Sequence, residues 1–337
     1  MWRQNARPPR GHPHWAATFN NQKKTMKKDS GARAIRIGTR GSALALAQAN
    51  EVRERLSSAC RNEISFETTI IKTSGDKIQD RALAAAGGKG LFTKELEEAL
   101  LEGSIDLAVH SMKDMPAILP EGLEIACILP REDVRDAWIS PVAKSLKELP
   151  AGSVVGTASV RRGAFILNAR PDLKTVLFRG NVETRLRKLA DGEAHATLLA
   201  VAGLNRLGMA DRITRIIPVD EMLPAPAQGA VGIEIRSADT ATRELIATIH
   251  DEATGVAVTA ERAFLACLDG SCRTPIAALA TVSAGWLSMK GMILTPDGAR
   301  VYETSREGAV SDAAALGEDA ARELLKRGGK DVFPVAS

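Results

Sequence analysis

Two α/β lobes facing each other across a cleft, followed by a smaller C-terminal α+β domain, are the architecture the sequence predicts. Three observations predict it. Short apolar runs alternate with amphipathic stretches from residue 34 to about residue 223, as expected of a mainly parallel sheet covered by helices. Pro224-Ala225-Pro226 then reads as a crossing segment, and residues 230–236 as a strand returning to the first lobe. Beyond residue 250 the style changes to a helix, three strand-like runs and a second helix. The expected division is a first lobe over 34–130 and 230–248, a second over 135–224, and the C-terminal domain over 252–337.

Each element has its own signal. Residues 35–38 form a short strand that ends at Thr39-Arg40-Gly41-Ser42. Ser42 is the N-cap of a helix whose apolar face is Leu44, Ala45, Ala49, Val52 and Leu56. A strand follows over about 65–73, and Gly87-Gly88-Lys89-Gly90 leads into a helix with Phe92, Leu96, Ala99 and Leu100 on one face. Residues 105–110 are a buried strand running into Ser111-Met112-Lys113-Asp114. In the second lobe, strands at 153–156, 174–178 and 196–201 alternate with helices starting near Ser159, Val182 and Gly203. A helix over about 254–268, a Pro296-Asp297-Gly298 turn and a helix over about 311–327 complete the chain. Ligands in such folds sit beyond the carboxyl ends of strands, so the strand-to-helix loops are where functional residues belong.

Composition narrows the function classes. The 337 residues are 45% hydrophobic and carry a formal net charge of only +4, too small an excess to specify a partner. No apolar run reaches the roughly 20 residues of a membrane span. Cys60, Cys127, Cys267 and Cys272 show no CxxC pair, and without a secretory signal they read as reduced thiols of a cytoplasmic protein. The few histidines are not clustered, and no metal is expected. Residues 1–33 contain seven Lys or Arg before their first acid, Asp29. They lack an apolar core segment, so they read as a disordered basic extension, with Met26 as an alternative start.

The positions of the basic residues are more informative than their number. Arg40, Arg161 with Arg162, Arg179 with Arg185, and Lys89 all fall at helix beginnings. There a cation opposes the helix dipole, at a cost of a few tenths to about 1 kcal/mol. Together with free backbone N–H groups, such a set makes anion sites. Guanidinium forks favour carboxylate or phosphate, so a polyanionic small molecule is expected. A phosphate loop is excluded at Lys89, because Gly90-Leu91 stands where Ser or Thr is required.

Asp114 is the one acid of its loop, next to Lys113. A structural pair with Lys113 is the default; the functional alternative is a carboxylate that holds a cation or moves a proton. His110, at a strand end, reads first as a packing residue. Cys272 lies in a loop just after a helix, where neighbouring Arg273 favours the thiolate; by itself it is one candidate among four thiols.

In order along the chain, these motifs resemble the hydroxymethylbilane synthase (porphobilinogen deaminase) family over nearly all of 34–330. The resemblance rests on Thr39-Arg40-Gly41-Ser42, Gly87-Gly88-Lys89-Gly90-Leu91-Phe92, Ala108-Val109-His110-Ser111-Met112-Lys113-Asp114, Arg161-Arg162 and Arg179-Gly180-Asn181. Ala200-Val201-Ala202-Gly203-Leu204, Gln228-Gly229-Ala230-Val231-Gly232 and the Cys272-x-x-Pro275-Ile276 loop extend it. It implies two periplasmic-binding-protein-like α/β lobes plus the C-terminal domain, in a cytoplasmic, monomeric transferase of tetrapyrrole biosynthesis. It further implies a dipyrromethane cofactor joined to Cys272 by a thioether and kept through turnover. Four porphobilinogens add head to tail with loss of ammonia, and water then releases hydroxymethylbilane.

Roles carry over by position. Asp114 matches the catalytic aspartate. Lys113, Asp114, Thr157, Ser159, Arg161 and Arg162 match cofactor-binding positions beside Cys272. Arg40, Ser42, Lys89, Phe92, Arg179, Arg185 and Gln228 match positions that meet the substrate. One departure is Ser271, where the family commonly has glycine; if that position requires φ > 0, serine adds strain of roughly 1 kcal/mol or more. Two rival readings are weaker. A non-catalytic anion-binding protein would have no use for Asp114 and the Cys272 loop. A nucleic-acid binder would want stacking aromatics, which are only 4% of the chain.

Overall fold

The computed structural model describes residues 34–77, 90–268 and 274–332. Cys272, Ser271 and Lys89 therefore lie outside the described residues, as does the 1–33 extension.

The chain opens with β1 (Ile35–Thr39), α1 (Ala43–Ala59), β2 (Phe66–Ile70), a single turn α2 (Ser74–Lys77), α3 (Lys94–Leu101), β3 (Leu107–Ser111) and β4 (Leu123–Ile128). It then crosses over and forms β5 (Asp136–Ile139), β6 (Val154–Gly156), α4 (Val160–Ala169), β7 (Lys174–Val176), α5 (Val182–Ala190), β8 (Ala196–Ala200), α6 (Val201–Arg206) and β9 (Arg215–Ile217). A second crossing brings β10 (Val231–Arg236) back to the first sheet, whose order is β2-β1-β3-β10-β4; the second sheet is β7-β6-β8-β5-β9. The remainder is α7 (Thr240–Ala247), α8 (Glu252–Cys267), an antiparallel β11 (Ile276–Ser283), β12 (Trp286–Leu294) and β13 (Val301–Ala309), and α9 (Ala313–Val332).

The alternating elements and the return strand were expected; the sheets are less parallel than expected. β1 pairs in parallel with β2 and β3, and β6 with β7 and β8. β10, however, is antiparallel to both its neighbours, and so is β5. In both sheets the antiparallel strand is the one that follows a crossing. It enters from the opposite end of the sheet, and no helical crossover turns it round. Apolar periodicity, which reports burial, carries no sign of that direction.

Each lobe has its own apolar core, and that of the second continues into Ala277 and Leu294 of the C-terminal sheet. Ile37, Val52, Leu56, Leu107, Val109 and Ile233 form the first lobe's core, and Trp138, Val155, Ile166 and Leu198 the second's. At about 1.5–3 kcal/mol for each fully buried large aliphatic chain, these clusters hold the strand ends, and so the loops between them, in register.

The crossings are tied by buried charge. Glu261 on α8 is fully buried and accepts two hydrogen bonds from Arg131, at 2.7 and 2.9 Å, on the first crossing. It also accepts from the N–H groups of Ala227, on the second crossing, and of Ala280. Gly229 has φ +88 and lies so close to the Glu132 carbonyl that a Cβ would collide with it. Only glycine lets the two crossing backbones meet there.

Candidate active site

A cavity of about 640 Å³ opens between the two sheets' strand ends, within the size range of small-molecule sites. Arg40, Ser42, Phe92, Lys113 and Asp114 line it from the first lobe, and Arg162, Arg179 and Arg185 from the second.

On the first lobe, Ser42 is the N-cap of α1 and accepts from the Ala45 N–H at 3.3 Å. That bond sets the direction of the loop, and Arg40 is held over the Phe92 ring at 4.2 Å from its centroid, a cation–π contact. β3 ends in a 3-10 turn, Met112–Asp114. Met112 and Met115 are buried on either side of it, while Asp114 is exposed to the cleft. Burial lowers the Lys113 ammonium to about 8; Asp114 and Asp136 counter this, while Arg162 and Arg161 add to it.

On the second lobe, Thr157 Oγ1 accepts the Ser159 N–H at 3.1 Å, and Ser159 Oγ caps α4 through the Arg162 N–H at 3.3 Å. Asn181 caps α5 through Thr184 N–H, 2.9 Å. Gly180, at φ +114, turns the chain so that its carbonyl accepts from Arg185 Nε at 2.9 Å. Burial lowers the Arg185 guanidinium to about 10, aided by Arg162 and Arg179 and opposed by Asp114; it remains a cation at neutral pH.

The neighbouring arginines differ from this set. Asp136, at the start of β5, is fully buried and accepts from Arg161 Nη2 at 2.6 Å and Arg162 Nη2 at 2.7 Å. Burial pushes its carboxyl up, but the two guanidinium groups outweigh that and hold it far below the usual carboxylate range. Arg161 also donates to the Leu223 carbonyl, and Arg162 to that of Leu198. Gln228 Nε2 donates to the Val134 carbonyl at 2.7 Å and to Asp136 at 3.1 Å. Arg161, Thr157 and Gln228 are buried and are not among the cleft-lining residues; they stand behind the wall. Arg162 belongs to both sets.

His110 is a packing residue, as first read: Nε2 lies 2.9 Å from Glu234 Oε2, and both side chains are buried. Gln48, Arg206 and Lys72 are among the cleft residues that escaped the sequence reading. Gln48 bonds Ser111 at 2.8 Å, and its signal was a polar residue on the apolar stripe of α1. Arg206 lies at the end of α6, pairs with Glu51 on α1 at 3.0 Å and so bridges the lobes; arginine is unremarkable at a helix C-terminus. Lys72 follows β2 with no motif around it.

Fold and cleft together define a two-lobed α/β protein with a cation-rich cleft, lined also by the carboxylates of Asp114 and Glu183. Residues 35–244 match the family model "Porphobilinogen deaminase, dipyromethane cofactor binding domain", and 256–326 match that family's C-terminal domain. The chain is 61% identical over 300 residues to porphobilinogen deaminase of Nitrobacter hamburgensis, covering 88% of this chain and 94% of the relative. It is 56% identical to that of Paracoccus denitrificans (89% and 96% covered) and to the chloroplastic enzyme of Oryza sativa (89% and 85%). The chain belongs to the porphobilinogen deaminase (hydroxymethylbilane synthase) family, whose members are transferases of tetrapyrrole biosynthesis.

The residues present suit a dipyrromethane. Lys113 and Arg185 have lowered basicity because too many cations share too little water and counter-charge. A ligand bearing several carboxylates supplies what is missing.

Proposed function

We propose that this cleft joins four porphobilinogen molecules head to tail, releasing ammonia at each addition, and that Asp114 is the catalytic group. The observation that carries the reading is an exposed carboxylate at the end of β3, in one cleft with Arg162, Arg179, Arg185 and Lys113; the other acid of that cleft, Glu183, stands in the first turn of α5. Loss of ammonia leaves positive charge on the substrate ring. A fixed carboxylate beside that charge stabilises it, and does so without having to reorient. The substrate's acetate and propionate are drawn instead to the guanidinium groups, so the cleft orients the ring by its own charge pattern.

Dipyrromethane, when bound, supplies the nucleophilic pyrrole to which the first unit is added. Its holders in this reading are the Cys272 thioether, Lys113, Asp114, Ser159 and Arg162, with Thr157 and Arg161 fixing the wall from behind. Arg40, Ser42, Arg179 and Arg185 take the incoming ring's carboxylates, Phe92 and Lys89 are further substrate-binding residues, and Gln228 acts through Asp136. Support for Cys272 comes from the other thiols. Burial pushes Cys127 up to about 12, and burial also raises Cys60 and Cys267, leaving each a poor nucleophile. The expected division into 34–130 with 230–248, 135–224 and 252–337 is retained, as is a monomer that works in the cytoplasm. Unpaired Cys60, Cys127 and Cys267 suit a reducing compartment. Among the described residues, no helix is long and apolar enough to cross a membrane.

Intact-mass measurement tests the anchor. The purified chain should carry a two-ring adduct, and Cys272→Ala should lack both adduct and turnover. An active enzyme of unmodified mass would sink the reading.

A further inference from the structure

We propose that Arg262, on the C-terminal helix α8, is a positioning residue for Asp114. Its Nη2 donates to the carbonyls of Pro116 at 2.9 Å and Ala117 at 3.3 Å, the second and third residues after Asp114. One guanidinium nitrogen thereby pins the exit of the turn that presents the carboxylate. The entry is pinned separately, by the Met112 N–H on the Ala230 carbonyl at 3.0 Å. Between these points Met112 and Met115 pack against Ala227, Ala230 and Val258. Val258 lies one helical turn before Arg262, on the same face of α8. A helix outside the two lobes therefore contributes, through Val258, to the floor beneath Asp114.

Stability alone is a poor explanation for an arginine here. Its Nη1 is buried and has no partner among the described residues. Burial lowers its basicity, and Glu234 only partly restores it. Glu234 is itself fully buried, bonded to His110 through Oε2 and, among the described residues, without a partner for Oε1. A buried cation compensated so incompletely is a weak source of folding energy, and an apolar side chain of similar length serves a core as well. What arginine adds is a rigid planar group, one of whose terminal nitrogens points its two hydrogens at two consecutive carbonyls. The same helix ends at Cys267, five residues before Cys272. Arg262 therefore sets the catalytic carboxylate against the helix that leads into the anchoring loop.

The inference rests on Asp114 being the catalytic group, and the test separates the two claims. The single variants Arg262→Met and Asp114→Glu and their combination are compared with the parent enzyme, each confirmed by mass to carry its adduct. Arg262→Met should lower kcat on the order of 10- to 100-fold with KM little changed, the scale of a misplacement of about 1 Å. In the Asp114→Glu background, where placement is already lost, the further loss should be under about threefold. Equal losses in both backgrounds, or none in either, overturn the positioning role and leave Asp114 standing. A parent-like kcat for Asp114→Glu overturns both claims. Arg262→Lys keeps the charge facing Glu234 but not the planar group that fixes Nη2 on its two carbonyls, so it should fold normally and still lose several-fold in kcat; an unchanged kcat overturns the inference even if Arg262→Met does not fold.

Discussion

Asp114 and Asp136 are two aspartates a crossing segment apart, and their surroundings give them opposite uses. Asp136 faces inward, is fully buried, and is matched by two guanidinium groups and a Gln228 amide. Asp114 faces outward from a 3-10 turn into the cavity. One carboxylate spends its charge holding a wall together; the other, in the proposed reaction, keeps its charge for the substrate. An acid's value to a site thus depends on how completely its charge is already answered.

The comparison breaks most sharply if the two acids are exchanged for amides. Asp114→Asn should lower kcat by roughly 100- to 1000-fold or more, the scale of removing one preorganised electrostatic group. Its melting temperature should stay within about 2 °C of the parent, as for exposed positions generally. Steady-state ammonia release together with a thermal melt decides this. Near-parental turnover would remove Asp114 from the mechanism.

Asp136→Asn should do the reverse. It leaves Arg161 and Arg162 buried without counter-charge, which costs about 3–5 kcal/mol and lowers the melting temperature on the order of 10 °C. Turnover per folded molecule should fall far less than for Asp114→Asn. Because the folded carboxyl is held below its ordinary value, its stabilisation is fully present above the unfolded value of about 3.9. It is lost as pH falls through the folded value. The stability gap between parent and variant should therefore be constant from pH 5 to 7 and close only in strong acid.

The two acids were not equally legible in the sequence. Asp114 stood in a polar run after a strand, beside a lysine, and its place could be read. Asp136 begins a four-residue buried strand, Asp-Ala-Trp-Ile, and nothing in that run says which cations turn toward it. Arginine positions were readable because Ser42, Ser159 and Asn181 are N-caps with local signals. Side-chain direction was not readable: Arg161 and Arg162 are adjacent in a helix, yet only Arg162 reaches the cleft. Which arginine faces the ligand depends on β5, and that strand reaches its place only through a crossing. The lobes themselves were legible from alternation, but the antiparallel runs of β5 and β10 follow from the crossings rather than from any local pattern.

Lys113 sharpens the comparison at the smallest scale, because it senses both acids. Its ammonium is lowered to about 8, and both Asp114 and Asp136 act to raise it. Below that pH it is a cation that serves anion binding; above it the cleft loses one positive charge. KM for porphobilinogen should therefore rise about three- to tenfold between pH 7 and 9, the range of a partly buried ion pair. Lys113→Met should show a raised but flatter KM over the same interval. Titration of the substrate's own amine is common to both enzymes and cancels in their ratio. Stability should move the opposite way. The folded value lies below the unfolded value of about 10.4, so the unfolded chain binds more protons between pH 8 and 10.4, and this group's contribution grows with pH. A parent and a Lys113→Met enzyme whose KM profiles run parallel would show that the lysine stays charged throughout. The cleft would then have enough negative charge of its own, and the demand for a polycarboxylate inferred from its lowered basicity would fail with it.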